Sequence, residues 1–270
     1  MAKGDAQTMD TELMKLVLAE AGENANKELA EQPLINAEVQ HIIGNVYTTL
    51  GLYGDAAGHL EESYQLQRTH AGDDDLDTIE HRISLGLALL KMGDVETAEQ
   101  HYLVSLEQLE ALGDSDLKEL LNLHDLIGQM RIRQGHYPKA EEHFRTSLDG
   151  MERTLGPQHE DTLRVRSNLA VNLQYQGRLD ESETLHHATL QGRRATLGNS
   201  HPDTIQSINN MGGVLYQQDK ITNPKWKAHV DEICSFLNGP CWYMGKGSSL
   251  IVLVFLIWSA YTLLLFASLF

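Results

Sequence analysis

Glycine recurs at positions 51, 93, 135 and 177, each 42 residues after the last. A fixed period of this length means a chain assembled from copies of one supersecondary unit, stacked so that neighbours bury each other's apolar faces. More than the glycines carries the period. Seven residues before each stands a small residue, at Gly44, Gly86, Gly128 and Ala170, and the same register reaches Gly212. Five residues after each come Ala56, Ala98, Ala140 and Ser182, and seven later Ser63, Ser105, Ser147 and Thr189. Eight residues before each turn glycine are Ile43, Leu85, Ile127 and Leu169, with Met211 in a fifth copy.

Helix packing explains this pattern. Apolar residues fourteen, eight and four positions before the glycine lie on one helical stripe (Ile79, Leu121, Leu163 and Ile205; then Ile43 and its copies; then Tyr47, Leu89, Leu173 and Leu215). The glycine ends that helix, because it takes a left-handed cap without steric penalty. A second helix follows, with Leu60, Tyr102 and Phe144 continuing the core and Leu106, Leu148 and Leu190 lying further along it. Small residues at Gly44 and Ala56 and their copies let the two helices approach closely. Each unit is therefore helix A, turn, helix B, and the fold class is all-α. Helix A is predicted over roughly 34–50, 78–92, 119–134, 162–176 and 204–218. Between units, Gly72, Gly156 and Gly198 are each followed five residues on by Asp-Thr (Asp77-Thr78, Asp161-Thr162, Asp203-Thr204). These pairs read as glycine stops for helix B and side-chain caps for the next helix A. The second junction, Gly113-Asp114-Ser115-Asp116, lacks the pair and is expected to be built differently.

These residues resemble tetratricopeptide repeats. Ile43-Gly44-x2-Tyr47 with Ala56-x3-Leu60, and Ile127-Gly128 with Ala140-x3-Phe144, follow the pattern of that family. The period exceeds the usual ~34 residues and is similar to the long variety of kinesin light chains and many bacterial proteins. HEAT repeats share the period range but do not account for the Gly/Ala/Ser positions. The segment from Ala30 to Arg68 resembles the region that follows the kinase domain in bacterial serine/threonine kinases carrying such repeats. The sequence has no Gly-x-Gly-x-x-Gly, His-Arg-Asp or Asp-Phe-Gly motif of its own. The resemblance covers about residues 13–219 and implies a right-handed superhelix of four full repeats and a partial fifth (33–219), preceded by an N-terminal helix or cap at 10–32.

The period fails at residue 219, where Asp replaces the turn glycine and Pro224 stands at the next small position. Charge changes at the same place. Residues 1–219 hold 36 acidic against 17 basic side chains, and residues 220–270 hold 2 against 4. All three Trp, both Cys and four of the five Phe lie in the second part. In the region 220–247, Asn223-Pro224 reads as a helix start and Trp226, Val230, Ile233 and Leu237 fall on one face, so a short helix and linker are expected. The run 248–270 contains no charge and, at ~1.5 Å per residue, is long enough to span a bilayer core of ~30 Å. Two readings fit it: a C-terminal hydrophobic helix acting as tail anchor, or a non-native tail read from a disrupted gene. Lys225, Lys227 and Lys246 before it favour a body on the cytoplasmic side, and the N-terminus has no apolar run of a secretory signal.

The acidic body disfavours nucleic acid, whose affinity comes from Lys and Arg displacing counterions. Cys234 and Cys241 are spaced neither as a redox dithiol nor as a zinc site. Among thirteen His, His59, His101 and His143 share one repeat register and would lie a helix pair apart, too far to converge on an ion. His186 and His187 point ~100° apart on a helix, and His159 and His201 fall in the turns between units. Gly239-x5-Gly245-Lys246-Gly247 departs from a phosphate loop in both spacing and the missing Ser/Thr. No catalytic residue, metal or cofactor is expected.

What remains is a surface. Helix A carries a stripe of polar or small residues: Glu38, Glu80, Asn122, Arg164 and Gln206 thirteen before the turn, Ser84, Asn168 and Asn210 nine before, Asn172 five before, and Lys91, Arg133, Tyr175 and Gln217 two before. In the long tetratricopeptide family such residues line the peptide groove, and the Asn of its Asn-Asn-Leu-Ala stretch corresponds to Asn168 and Asn210. The resemblance thus implies a groove of Arg164, Asn168, Asn172, Gln206 and Asn210. Its partner would be a protein segment, basic in view of the body's charge. The expected function is a non-catalytic interaction scaffold, with a regulatory repeat fragment of a bacterial kinase as the alternative.

Overall fold

A computed structural model describes residues 3–218, with side chains from residue 12 onward. Ten α-helices occupy these residues: α1 (Lys3–Glu28), α2 (Pro33–Thr49), α3 (Tyr53–Ala71), α4 (Leu76–Met92), α5 (Val95–Ala111), α6 (Lys118–Arg133), α7 (Tyr137–Thr154), α8 (Glu160–Tyr175), α9 (Leu179–Leu197) and α10 (Pro202–Gln217). Thr11–Met211 forms one compact unit. Of the other unit, Met1–Asp10 with Gly212–Phe270, the described part is the first residues of α1 and the end of α10. Among the described residues no helix is long and apolar enough to cross a membrane. The expected helix at 220–247 and the uncharged run 248–270 lie outside them.

Helices α2, α4, α6, α8 and α10 are the A helices of five units, and each lies within two residues of its predicted span. All four turn glycines have positive φ, between 75° and 101°, a region that favours glycine over any side chain. The caps differ from expectation. Asp77, Asp161 and Asp203 sit inside the first turn rather than at its start. The capping acceptors stand two residues earlier: Asp75 takes the Thr78 amide at 3.2 Å, His159 Nδ1 the Asp161 amide at 3.2 Å and His201 Nδ1 the Asp203 amide at 3.3 Å. The displaced acids still face the positive end of the helix dipole. As expected, the junction before α6 is built differently: its cap, Leu117, makes no side-chain bond.

Three buried clusters hold the stack together. The first gathers Ile43, Tyr47, Leu60, Tyr64 and Leu85, the second Ile79, Tyr102, Leu109, Leu123 and Ile127, and the third Leu121, Phe144, Met151, Leu169 and Leu173. Within each of the first three hairpins a glycine of helix A meets a large, fully buried side chain of helix B. A methyl group added at Gly44 would come within 2.5 Å of Leu60, at Gly86 within 2.6 Å of Tyr102 and at Gly128 within 2.6 Å of Phe144. In the fourth unit the small residue is Ala170, and His186 occupies the register of Leu60, Tyr102 and Phe144. A second pair of close approaches was not anticipated: Gly150 against Leu121 and Gly192 against Leu163, also 42 residues apart. Each seats an apolar side chain of helix A in a notch on helix B.

Two substitutions separate packing from propensity. Gly→Ala in a helix gains up to ~1 kcal/mol, whereas overpacking a filled core costs ~1–3 kcal/mol. At Gly58, on α3 with open space around it, only the first term acts, so Gly58→Ala should raise the melting temperature. At Gly128 the Phe144 ring stands in the way, so Gly128→Ala should lower it. Thermal denaturation of both variants beside the parent is the measurement.

Candidate functional site

Consecutive A helices touch: α2 packs on α4, α4 on α6 and α6 on α8. Helices α3, α5, α7 and α9 do not adjoin one another to that extent. The A helices are therefore the closely spaced, inner side of the stack, and their free stripes form a continuous face.

The five groove residues predicted from sequence fall on that row of helices in three different ways. Arg164 and Asn168, one turn apart on α8, both reach Asp125 of α6: Arg164 pairs with its Oδ2, and Asn168 Nδ2 donates to its Oδ1 at 2.8 Å. Arg164 also donates to Asn122 and to Asp161, each at 3.3 Å. Its charge is thus largely spoken for inside the fold. Asn172 is fully buried, and its Nδ2 donates across the repeat junction to the Tyr137 carbonyl at 3.0 Å. It joins repeats and does not line an open surface. Gln206 is exposed, and Asn210 is held by a 3.4 Å bond from Nδ2 to Ser167 Oγ.

Asp125 was missed by sequence reading, which took carboxylates as a solvated face. It has no solvent exposure, and its oxygens accept from Arg164, Asn168 and Gln129. The available signal was its register: ten residues before the turn, where the preceding unit has the buried Ile83. Ile42, in the register of Asn168 and Asn210, was also passed over and is exposed on the same stripe. Tyr175 stacks on Tyr137 with centroids 5.3 Å apart and remains largely exposed.

Polar bridges between repeats recur with the period. Gln134 Nε2 donates to Glu99 at 2.7 Å, and Gln176 Nε2 to Glu141 at 2.9 Å. Arg131 completes the first and Arg178 the second. Burial works against ionisation of both glutamates, but the bonds from Gln and Arg outweigh it and hold each carboxyl below its ordinary range.

The histidines fill separate roles. His59 Nδ1 bonds Gln40 at 2.7 Å, His101 lies edge-on to Tyr64, and His143 Nδ1 faces His124 Nδ1 at 2.9 Å. His186 is fully buried, and neither ring nitrogen has a partner. On the A helices, however, the His41 and His81 rings lie against each other, tilted by 31° with centroids 4.0 Å apart. Neither belongs to the repeated His register.

The described body matches a tetratricopeptide repeat family model over residues 36–111 and 119–181, and a second tetratricopeptide repeat model over 162–203. No curated protein sequence matches it. Among solved structures, BtubC (BKLC) from P. vanneervenii is similar with a TM-score of 0.67 and 19% identity, covering 87% of this chain and 94% of that one. The putative kinesin light chain of Podospora anserina, with nearly identical TPR-like repeats, gives 0.63 and 18%, covering 76% and 96%. The apo form of RapI gives 0.59 and 15%, covering 87% and 90%. At such identities the likeness is one of fold.

Burial pushes His186 down to about 4, with nearby Arg193 adding to the effect, and burial lowers His41 and His143 to about 4 as well. The unfolded chain takes up these protons below about pH 6.5 while the folded chain does not. Stability present above that pH is therefore lost as pH falls from 6.5 toward 4. His186→Leu, which installs the first unit's residue, should flatten that loss by on the order of 1 kcal/mol per pH unit. Denaturant melts at pH 7 and 5 test this; an unchanged slope would remove His186 from the account.

Proposed function

Because the chain belongs to the tetratricopeptide repeat family, we propose that it is a non-catalytic protein-interaction scaffold that takes an extended or helical segment of a partner along its row of A helices. The observation that carries this reading is the face itself. It combines an exposed apolar anchor (Ile42), carboxylates (Glu38, Glu80), amides (Asn168, Gln206, Asn210) and Tyr175, stacked on Tyr137 of α7, along helices of which α2, α4, α6 and α8 adjoin in turn and α10 is tied to α8 through Asn210 and Ser167. Amides bond a peptide backbone without selecting its sequence, and an apolar anchor fixes its register. The net charge of −17 and the glutamates of the first two units favour a basic segment, mainly through steering of the encounter.

The internal use of Arg164 and Asn168 refines the groove. Their bonds to Asp125 hold them in place before any ligand arrives, which lowers the entropy lost on binding. Gln206 and Asn210 carry the freer side chains. The kinase-fragment alternative rests on the resemblance of the opening segment alone. The tail-anchor proposal rests on the uncharged run 248–270.

Two experiments check these readings. Affinity capture with the full chain should recover partners that elute as salt is raised, and Ile42→Asp combined with Asn210→Ala should lose them while circular dichroism stays unchanged. Capture of the same proteins by the variant would refute the groove. On fractionation, the full chain should sediment with membranes and a chain ending at residue 247 should not; a soluble full chain would end the anchor proposal.

A further inference from the structure

Two buried imidazoles and a carboxylate meet where α2 lies against α4. His41 and His81 are 7% and 3% exposed, and one ligating atom from each, with one from Glu38, all fall within 4.8 Å of one another. His81 Nε2 is 3.5 Å from Glu38 Oε2. Tetrahedral bonds of ~2.0–2.1 Å to an ion would set donors about 3.4 Å apart. Glu38 is largely exposed and free to turn inward over the remaining distance.

The hydrogen bonds assign the lone pairs. The Ser63 hydroxyl donates to the Ala37 carbonyl at 2.7 Å. Its single proton is thereby used, so its oxygen accepts from His81 Nδ1, 2.8 Å away. His81 then carries its hydrogen on Nδ1 and turns a bare Nε2 toward a carboxylate oxygen. Two acceptors facing each other at that distance call for a positive charge between them. A hydroxyl fixing the far nitrogen is also the outer-shell support that metal-bound histidines use. His41 is held likewise, with Nε2 2.9 Å from Ser84 Oγ.

The repeat provides an internal control for what the fold requires. Twelve residues before the turn, His81 stands where the next two units have buried Leu123 and Val165. Ten before it, His41 stands where the second unit has buried Ile83. Ser63 recurs as Ser105 and Ser147, whose hydroxyls have no partner. In the first four units these two registers otherwise hold aliphatic side chains (Val39, Leu123 and Val165 at one, Ile83 at the other) or the polar Asp125 and Ser167, and imidazoles stand only here.

We propose that Glu38, His41 and His81 bind a divalent ion of the zinc class. Two imidazoles and one carboxylate suit Zn2+ and disfavour Mg2+ and Ca2+, which take oxygen ligands. Three protein ligands leave a fourth position to water. The site goes beyond the scaffold reading and does not depend on a peptide occupying the face.

Calorimetric titration of the chelator-treated full chain with ZnCl2 tests the proposal. One Zn2+ should bind per chain, and MgCl2 should give no heat of binding. Glu38→Gln, at an exposed position that leaves the core untouched, should weaken binding at least tenfold. His81→Leu and His41→Ile, which install residues the repeat already uses at those registers, should each weaken it at least a hundredfold with helicity retained. A chain with Cys234 and Cys241 replaced by Ser should bind as the parent does. Absence of stoichiometric Zn2+ binding to the folded parent would overturn the site, as would binding unchanged in Glu38→Gln and His81→Leu; in that case a proton, not a metal, lies between His81 and Glu38.

Discussion

Everything in this fold depends on how closely two helices of one hairpin approach. Gly44, Gly86 and Gly128 remove a side chain from helix A at the point where helix B presents Leu60, Tyr102 or Phe144. Close packing of this kind tolerates little change in volume. With the hairpin spacing set, the next hairpin can stack in one register only, and each A helix comes to lie on its neighbour. The continuous face is a product of that spacing rather than of any residue on the face.

Stacking alone would leave the junctions dependent on apolar burial. Polar bridges reinforce them: Glu99 with Gln134, Glu141 with Gln176, Asn172 with the Tyr137 carbonyl, and Asp125 with Arg164 and Asn168. Several use residues that a surface reading would assign to a ligand. A single side chain in a solenoid can hold the repeats together and shape the face that meets a partner. Asn172, with no exposure, has only the first role in this fold.

The helices, their turns and the facing glycines were legible because each is set by residues one register apart, which a strict period lines up. The caps were misread by two residues, because Asp-Thr is a strong local signal and at two of the three junctions the true cap is a histidine, which is not a usual one. The second set of notches, Gly150 and Gly192, was visible in the same period and passed over. Asp125 was hidden by its chemistry, since an acid on a helix is by default solvated. His41 and His81 were hidden for a geometric reason. They lie ten and twelve residues before their own turns, so aligning the repeats never places them in one column. Helices α2 and α4 meet along a diagonal, and only the packed structure brings those two registers together.

The serine twelve residues after each of the first three turn glycines has a broader meaning in this light. In the first unit its hydroxyl is occupied twice, by a carbonyl and a ring nitrogen; in the next two it is buried and idle. An idle buried hydroxyl is a small standing debt of desolvation. It is also a socket already cut in each of those modules. A histidine arriving twelve residues before the following turn finds its tautomer decided on arrival. The junction of the second and third units comes nearest to using that socket: Glu80 already stands in the register of Glu38, and histidines in place of Ile83 and Leu123 would complete a second copy of the cluster on an architecture left untouched.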